Sequence, residues 1–238
     1  MKVEIWSDVM CPFCYIGKRH FEQAIETLPF KNEIEVEWKS YQLNPEYKNT
    51  SNETVFDYLS RSKGMPVNQA KQMTQQVVDM AKNAGLTIDF EKNIPANTFN
   101  AHRLIHLAAK HNLQDIAEEK LFEAHFIKGS DIDNLTVLAE IATEIGLDQT
   151  EAEQVLKSDQ FAEAVRYDIY ESQNIGIRGV PYFVLDRKYA VSGAQPVQAF
   201  EQALTQSFKE WKEAQPKTEL KSLNKNDDAI CDENGCEI

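Results

Sequence analysis

Val3-Glu4-Ile5-Trp6-Ser7-Asp8 leads through Val9 and Met10 into Cys11-Pro12-Phe13-Cys14, and then into Tyr15-Ile16-Gly17-Lys18-Arg19-His20-Phe21. Val3 and Ile5 alternate with polar neighbours, the period of a half-buried strand. From Tyr15 to Ile25 the apolar residues fall at helical spacing. The two thiols therefore stand where a strand becomes a helix, with Cys11 at the helix start. That position offers unpaired backbone N–H groups and the positive end of the helix dipole, both of which favour a thiolate over a thiol. Pro12 suits the first turn, where its missing N–H has no partner to lose. Cys14, one turn on, can close a disulfide with Cys11. The stretch predicts a dithiol–disulfide centre.

The chain has 238 residues and is 42% apolar, enough for a packed core. Its net charge of −13 and pI near 4.9 argue against nucleic acid or an anionic membrane surface as partners, because both require a basic face. No stretch is long and apolar enough to span a bilayer. Met1-Lys2 runs directly into the first strand without a signal segment, which predicts a cytoplasmic location. Four cysteines are too few for a structural disulfide scaffold. They form two tight pairs near opposite ends of the chain, a distribution that suggests redox chemistry or metal binding.

Working outward, Ile34-Glu35-Val36-Glu37-Trp38 alternates as a second strand, and Leu43-Asn44-Pro45 ends that unit. From about Glu53 to Ile175 the pattern is helical. Helices are predicted over Val67–Ala84 with Gly85 as C-cap, Asn97–Asn112, Leu113–Lys128, Thr136–Ile145 and Glu151–Tyr170. Asp115, Asn134 and Asp159 are candidate N-caps. Strands return as Tyr182-Phe183-Val184-Leu185 and Tyr189-Ala190-Val191, a hairpin turned by Asp186-Arg187-Lys188. Pro196 opens a last helix. From Pro216 the chain is polar and reads as a flexible tail. The order βαβ, helices, ββα predicts a small mixed sheet with a right-handed parallel first crossover.

That order, with CxxC after the first strand, resembles the thioredoxin fold of the DsbA-like family. The segments carrying the resemblance are Ser7 to Gly17, Asn97 to Leu104, Gly176 to Val184 and Ser192-Gly193-Ala194-Gln195, and they look most like the FrnE-type branch. The resemblance implies an α/β, thioredoxin-like fold (βαβ…ββα) with a large all-helical insertion. Residues 1–48 and 176–214 would form the thioredoxin-like domain, 49–175 the insertion and 215–238 the tail. It implies that Cys11 and Cys14 are catalytic. It also implies that Pro181, in a Gly-Val-Pro segment, forms a cis bond with Val180 beside them, where Val180 pairs with an extended substrate through its backbone. Phe13 belongs to an apolar rim, with Trp6 and Tyr15 either joining it or filling core. Asn97 and His102 either line the groove above Cys11 or cap and pack their helix. The intervening Pro-Phe departs from the Pro-His of strongly oxidising periplasmic members, so no imidazole between the thiols supports the Cys11 thiolate. Members with glutathione-dependent isomerase or transferase activity carry serine at the first cysteine. Both thiols are present here, favouring electron transfer.

Cys231 and Cys236 enclose Asp232-Glu233-Asn234-Gly235, where Asn and Gly suit a tight turn. They form either a second dithiol exchanging with Cys11–Cys14 or an exposed tail disulfide without a role. A zinc site using all four thiols is disfavoured by the helix start and the polar tail. His102 and His106 lie one turn apart but lack the glutamate of a zinc-protease helix, so no metal is expected. The sequence thus predicts a thiol–disulfide oxidoreductase, a reductase or isomerase of protein disulfides, acting on disulfide- or thiol-bearing polypeptides. It has no bound cofactor and is recycled by glutathione or a thioredoxin system. The alternatives are a glutathione-dependent isomerase or transferase of small molecules, and a non-catalytic thiol-regulated chaperone.

Overall fold

The computed structural model describes residues 1–48 and 53–215, together with the backbone of 230–232 and 235–237. The stretch 216–229, expected as flexible tail, lies outside the described residues. Strand β1 (Lys2–Ser7) feeds helix α1 (Pro12–Thr27), and β2 (Glu35–Ser40) returns parallel to β1, with Val3 opposite Val36 and Ile5 opposite Trp38. Among the described residues seven α-helices follow before the next strand: α2 (Val55–Lys63), α3 (Val67–Asn83), α4 (Phe99–Lys110), α5 (Gln114–Glu123), α6 (Leu135–Glu144), α7 (Gln149–Leu156) and α8 (Ala162–Asn174). Then β3 (Tyr182–Leu185) pairs antiparallel with β1, β4 (Tyr189–Ser192) pairs with β3, and α9 (Val197–Ala214) closes the unit. The sheet order is β2-β1-β3-β4. This is a mixed four-stranded α/β sheet of thioredoxin-like topology, interrupted by an all-helical insertion.

The sheet core is aromatic. Phe183 of β3 meets Phe200 of α9 edge-on at 4.6 Å and Phe21 of α1 at 5.2 Å. Each of these fully or nearly buried rings contributes on the order of 1.5–3 kcal/mol by leaving water. Trp6 and Tyr15 are also buried, so they fill core rather than join a rim.

The insertion docks on the open edge of β2 through side chains that imitate a neighbouring strand. The Gln114 amide accepts from the Trp38 N–H at 3.0 Å and donates to the Trp38 carbonyl at 2.8 Å. Asp168 of α8 accepts from the Ser40 N–H at 3.0 Å. Unpaired edge groups are thereby satisfied and the edge is blocked. Lys18 of α1, almost wholly buried, pairs with Asp115 and Glu119 of α5 and with Glu22, tying α1 to the same helices.

Helix ends depart from the sequence expectation most between α7 and α8. Glu151–Tyr170 is not one helix: α7 is capped by Asp148, whose carboxylate accepts from the Glu151 N–H, and it stops at Leu156. The cause is remote. The buried Arg103 guanidinium of α4 donates to the carbonyls of Val155, Leu156, Ser158 and Gln160, taking the acceptors that a continuous helix would use. Asp159 therefore caps nothing, and Phe161, at φ +64°, precedes α8. Asp115 lies inside the first turn of α5, whereas Asn134 does cap α6 by accepting from the Thr136 N–H.

Gly17 sets how closely α1 approaches the β3 entrance. A Cβ there would lie 2.9 Å from Cγ of Pro181 and 3.5 Å from Phe183. Gly17→Val is expected to lower stability by about 1–3 kcal/mol through overpacking. Urea denaturation measures it, and an unchanged midpoint would show that the approach is not tight.

Candidate active site

Strand β1 ends at Ser7, and Asp8 to Met10 turn the chain so that the Cys11 N–H donates to the Asp8 carbonyl at 2.9 Å. Cys11 is the N-cap of α1 and keeps an extended backbone, with Pro12 in the first turn. Its carbonyl accepts from the Cys14 N–H at 3.0 Å, so the two thiols are held one helical turn apart. Across the site, the Val180–Pro181 bond is cis, in the geometry the resemblance implies. The Cys11 thiol donates to the Val180 carbonyl at 3.5 Å. The Val180 N–H has no partner among the described residues. Cys11 is 3% exposed and Cys14 0%.

The two sulfurs differ in surroundings. Burial pushes the Cys14 thiol well above its ordinary value, and the adjoining Cys11 sulfur adds to that rise. The nearby Asp8 backbone and Ser7 hydroxyl act in the opposite sense, favouring the anion, although the Ser7 hydroxyl makes no hydrogen bond to the resting thiol. Cys14 is thus a thiol at rest, with two donors ready to stabilise its anion. Cys11 sits at the helix start and lines the cavity, where a substrate sulfur can approach it.

In front of Cys11 opens a cavity of about 700 Å³. Phe13, 39% exposed, stands at its rim. The sequence left Asn97 and His102 either lining this groove or capping and packing their helix, and the structure places them in the second way. Asn97 accepts from the Phe99 N–H at 3.0 Å and from Gln42, and donates to the carbonyls of Pro45 and Tyr47. Its polar atoms are spent on the α4 start and on the 42–47 loop. His102, 1% exposed, faces the Asp8 carboxylate at 3.5 Å and lies outside the cavity lining. For His102 the cause is that α4 is buried on nearly every side, Ala101, Leu104, Ile105 and Ala108 included. His106 is a boundary residue, bonded to Asp168 at 3.0 Å.

The buried polar residues of this region, His102 apart, carried no functional reading in the sequence. Buried atoms of Ser7, Asp8, His102, Glu118 and His125 lack a protein hydrogen-bond partner. Asp8 fills its second oxygen by accepting from the Leu43 N–H at 2.7 Å. His125 lies in a π-helical turn, Ala124–Lys128, that continues α5 and brings it to the cavity wall. Burial holds its imidazole down near about 4, with Asp8 acting the other way, so it is neutral at physiological pH. Burial pushes the Glu118 carboxyl up to about 8; Lys18 opposes this, while Asp115 and Asp8 add to it. The one available signal was Asp8, a charge at a junction whose strand pattern predicts burial. His125 gave none, because its position depends on the π turn.

Residues 2–205 match the family described as DSBA-like thioredoxin domain, and the chain belongs to that family. It is similar to the crystal structure of a probable DsbA oxidoreductase, SCO1869, from Streptomyces coelicolor. That protein is 35% identical, with a TM-score of 0.82 and coverage of 100% of this chain and 99% of the other. It is 28% identical over 212 residues to the uncharacterized protein YwbO of Bacillus subtilis, covering 87% of this chain and 97% of that one. The cytosolic disulfide reductase DsbM from Pseudomonas aeruginosa, solved with GSH, shares the fold at 15% identity. Its TM-score is 0.62, with coverage of 88% and 100%. Family membership supports thiol–disulfide oxidoreductase chemistry in general terms. No helix among the described residues is long and apolar enough to cross a membrane.

Glu118 yields a pH prediction. Its folded-state value lies above the unfolded value of about 4.3, so the folded chain holds the proton more tightly. The stability this contributes is complete below about pH 4 and is lost as pH rises toward 8. Glu118→Gln removes the loss: relative to the parent it gains at least about 1 kcal/mol between pH 5 and pH 8. His125, whose folded value is depressed, acts in the opposite sense between about pH 6.5 and 4, and is common to both proteins. Urea titrations at both pH values test this, and parallel pH profiles would contradict it.

Proposed function

We propose that the chain is a thiol–disulfide oxidoreductase of polypeptide disulfides, of the FrnE-type branch, and that it works in the cytoplasm. The observation that carries this reading is the asymmetric dithiol. Cys11 stands at a helix start facing a cavity and the Val180 carbonyl, and Cys14 is wholly buried behind it. A substrate segment pairs in extended form with the Val180 backbone, which sets its disulfide against Cys11. The Cys11 thiolate attacks one substrate sulfur. The substrate S–S bond breaks, the departing thiolate takes up a proton, and a Cys11–substrate disulfide remains. Cys14 then gives up its proton, which ends on the second substrate thiolate as that leaves, and the Ser7 hydroxyl and Asp8 N–H stabilise the transient Cys14 anion. It attacks Cys11 and expels the second substrate thiolate. Two electrons have passed from the dithiol to the substrate, leaving Cys11–Cys14 oxidised. Glutathione or a thioredoxin system restores the dithiol, and the reverse sequence oxidises or isomerises substrate thiols.

Cys231 of β5 (Ile230–Asp232) lies directly opposite Cys236 of β6 (Gly235–Glu237) in their antiparallel ladder, which supports reading them as a second redox pair. The cavity favours one other reading, a glutathione-dependent isomerase or transferase of small molecules, since its size is that of a ligand pocket.

Insulin reduction by dithiothreitol separates these readings. The protein is expected to accelerate it, and Cys11→Ser to lose at least about a hundredfold of that acceleration, in line with removal of the attacking sulfur. No acceleration, combined with turnover of a glutathione adduct, would favour the small-molecule reading. Replacing Cys231 and Cys236 together by Ser is expected to slow turnover of a large protein disulfide, and unchanged kinetics would leave the tail pair without this role.

A further inference from the structure

The cavity beside Cys11 is much larger than the sulfur of a substrate requires. Its volume of about 700 Å³ falls within the range of about 300–1,000 Å³ found for pockets that enclose a small ligand. The far wall belongs to the helical insertion and is apolar: Leu59 of α2, Met73 and Val77 of α3, and Phe90. The chain carries 38 acidic residues, yet among the described residues no carboxylate lines the cavity, and Lys63 is the sole charged one there.

The polar side chains of the wall are largely engaged with the protein. Asn44 donates to the Tyr58 hydroxyl at 3.1 Å, Thr74 donates to the Lys71 carbonyl at 2.9 Å, and Asn93 donates to the His125 carbonyl. Nδ1 of His125 is the buried exception, a neutral group without a partner. An anionic group would find one exposed lysine here. An apolar group finds a mostly apolar wall, and its burial is favourable at about 25 cal/mol per Å².

The placement of the cavity also fixes a register. Gly179 and Val180 line it, so a segment paired with the free N–H and the carbonyl of Val180 runs across its mouth. Cys11 lines it too. Side chains alternate along an extended segment, and residues two apart share a face. A substrate cysteine facing Cys11 and a side chain entering the cavity are therefore two positions apart in the substrate.

We infer that the cavity is a specificity pocket for a bulky apolar side chain two residues from the reacting cysteine of a polypeptide substrate, its selectivity set by α2 and α3 of the insertion. This rests on the oxidoreductase reading, and the experiment below separates the failure of one from the failure of the other.

The test uses the full chain carrying Cys14→Ser, so that disulfides at Cys11 persist. Exchange constants for displacement of 2-mercaptoethanol from Cys11 are measured for blocked heptapeptides with a central cysteine. Tryptophan stands two residues before or after the cysteine, directly beside it, or nowhere, with serine elsewhere. One of the two-residue placements is expected to exceed the all-serine peptide at least tenfold, and the adjacent placements to stay within about threefold. Adding Ser62→Trp at the cavity mouth, or Val77→Phe within it, is expected to reduce the preference to under threefold; the exposed Ser62 site keeps the test usable if the core variant fails to fold. Equal constants for all peptides, a preference for the adjacent position, or a preference surviving in a folded narrowed variant would each overturn the inference. Phenylmethanethiol binding as tightly as the best peptide would also overturn it, because a small apolar thiol would then need no polypeptide. Absence of any Cys11 disulfide with every thiol would sink the oxidoreductase reading itself.

Discussion

The contact between the Cys11 thiol and the Val180 carbonyl joins residues 169 positions apart, and the rest of the architecture serves to hold its two sides in place. One side is a helix start fixed by the turn from Asp8 to Cys11. The other is the cis loop entering β3. Hydrogen bonds along β1, which pairs with both β2 and β3, set their height in the sheet. Gly17 sets their separation, because any side chain on that face of α1 would strike Pro181. The thiol pair owes its asymmetry to the same arrangement: one sulfur stands at the cavity and the other beneath it, against the end of the sheet.

The helical insertion is more than a cover. Its attachment to the β2 edge through Gln114 and Asp168, and to α1 through Lys18, fixes where α2 and α3 stand relative to Cys11. Those two helices supply most of the apolar wall opposite the nucleophile. The buried polar groups Ser7, Asp8, His102, Glu118 and His125 are costly where they lack partners. Their surroundings keep Glu118 protonated and His125 neutral near pH 7, which limits the charge buried there.

Local features were the legible ones. Alternation marked β1 and the start of β2, CxxC marked the helix start, and Gly-Val-Pro before a compact apolar run marked β3 with its neighbouring loop. Each depends on residues within a few positions of one another. The misread features depend on partners far away in the chain. Arg103 ends α7 by occupying carbonyls more than fifty residues distant. His102 had the right chemistry for a groove residue, but the packing of α4 directs it toward Asp8. His125 reaches the cavity through a π turn that no spacing rule announces. Asn97 shows the intermediate case: its capping of α4 was among the readings the sequence allowed, and its bonds to the 42–47 loop were not.

The account depends on Cys11 being the reactive sulfur and Cys14 a shielded thiol. Brief alkylation of the reduced protein by iodoacetamide at neutral pH, with Cys231 and Cys236 replaced by Ser and the sites read by peptide mass, tests this most directly. The account predicts label on Cys11 alone until the chain is unfolded. Labelling of Cys14 at the same rate as Cys11 in the folded protein would contradict it.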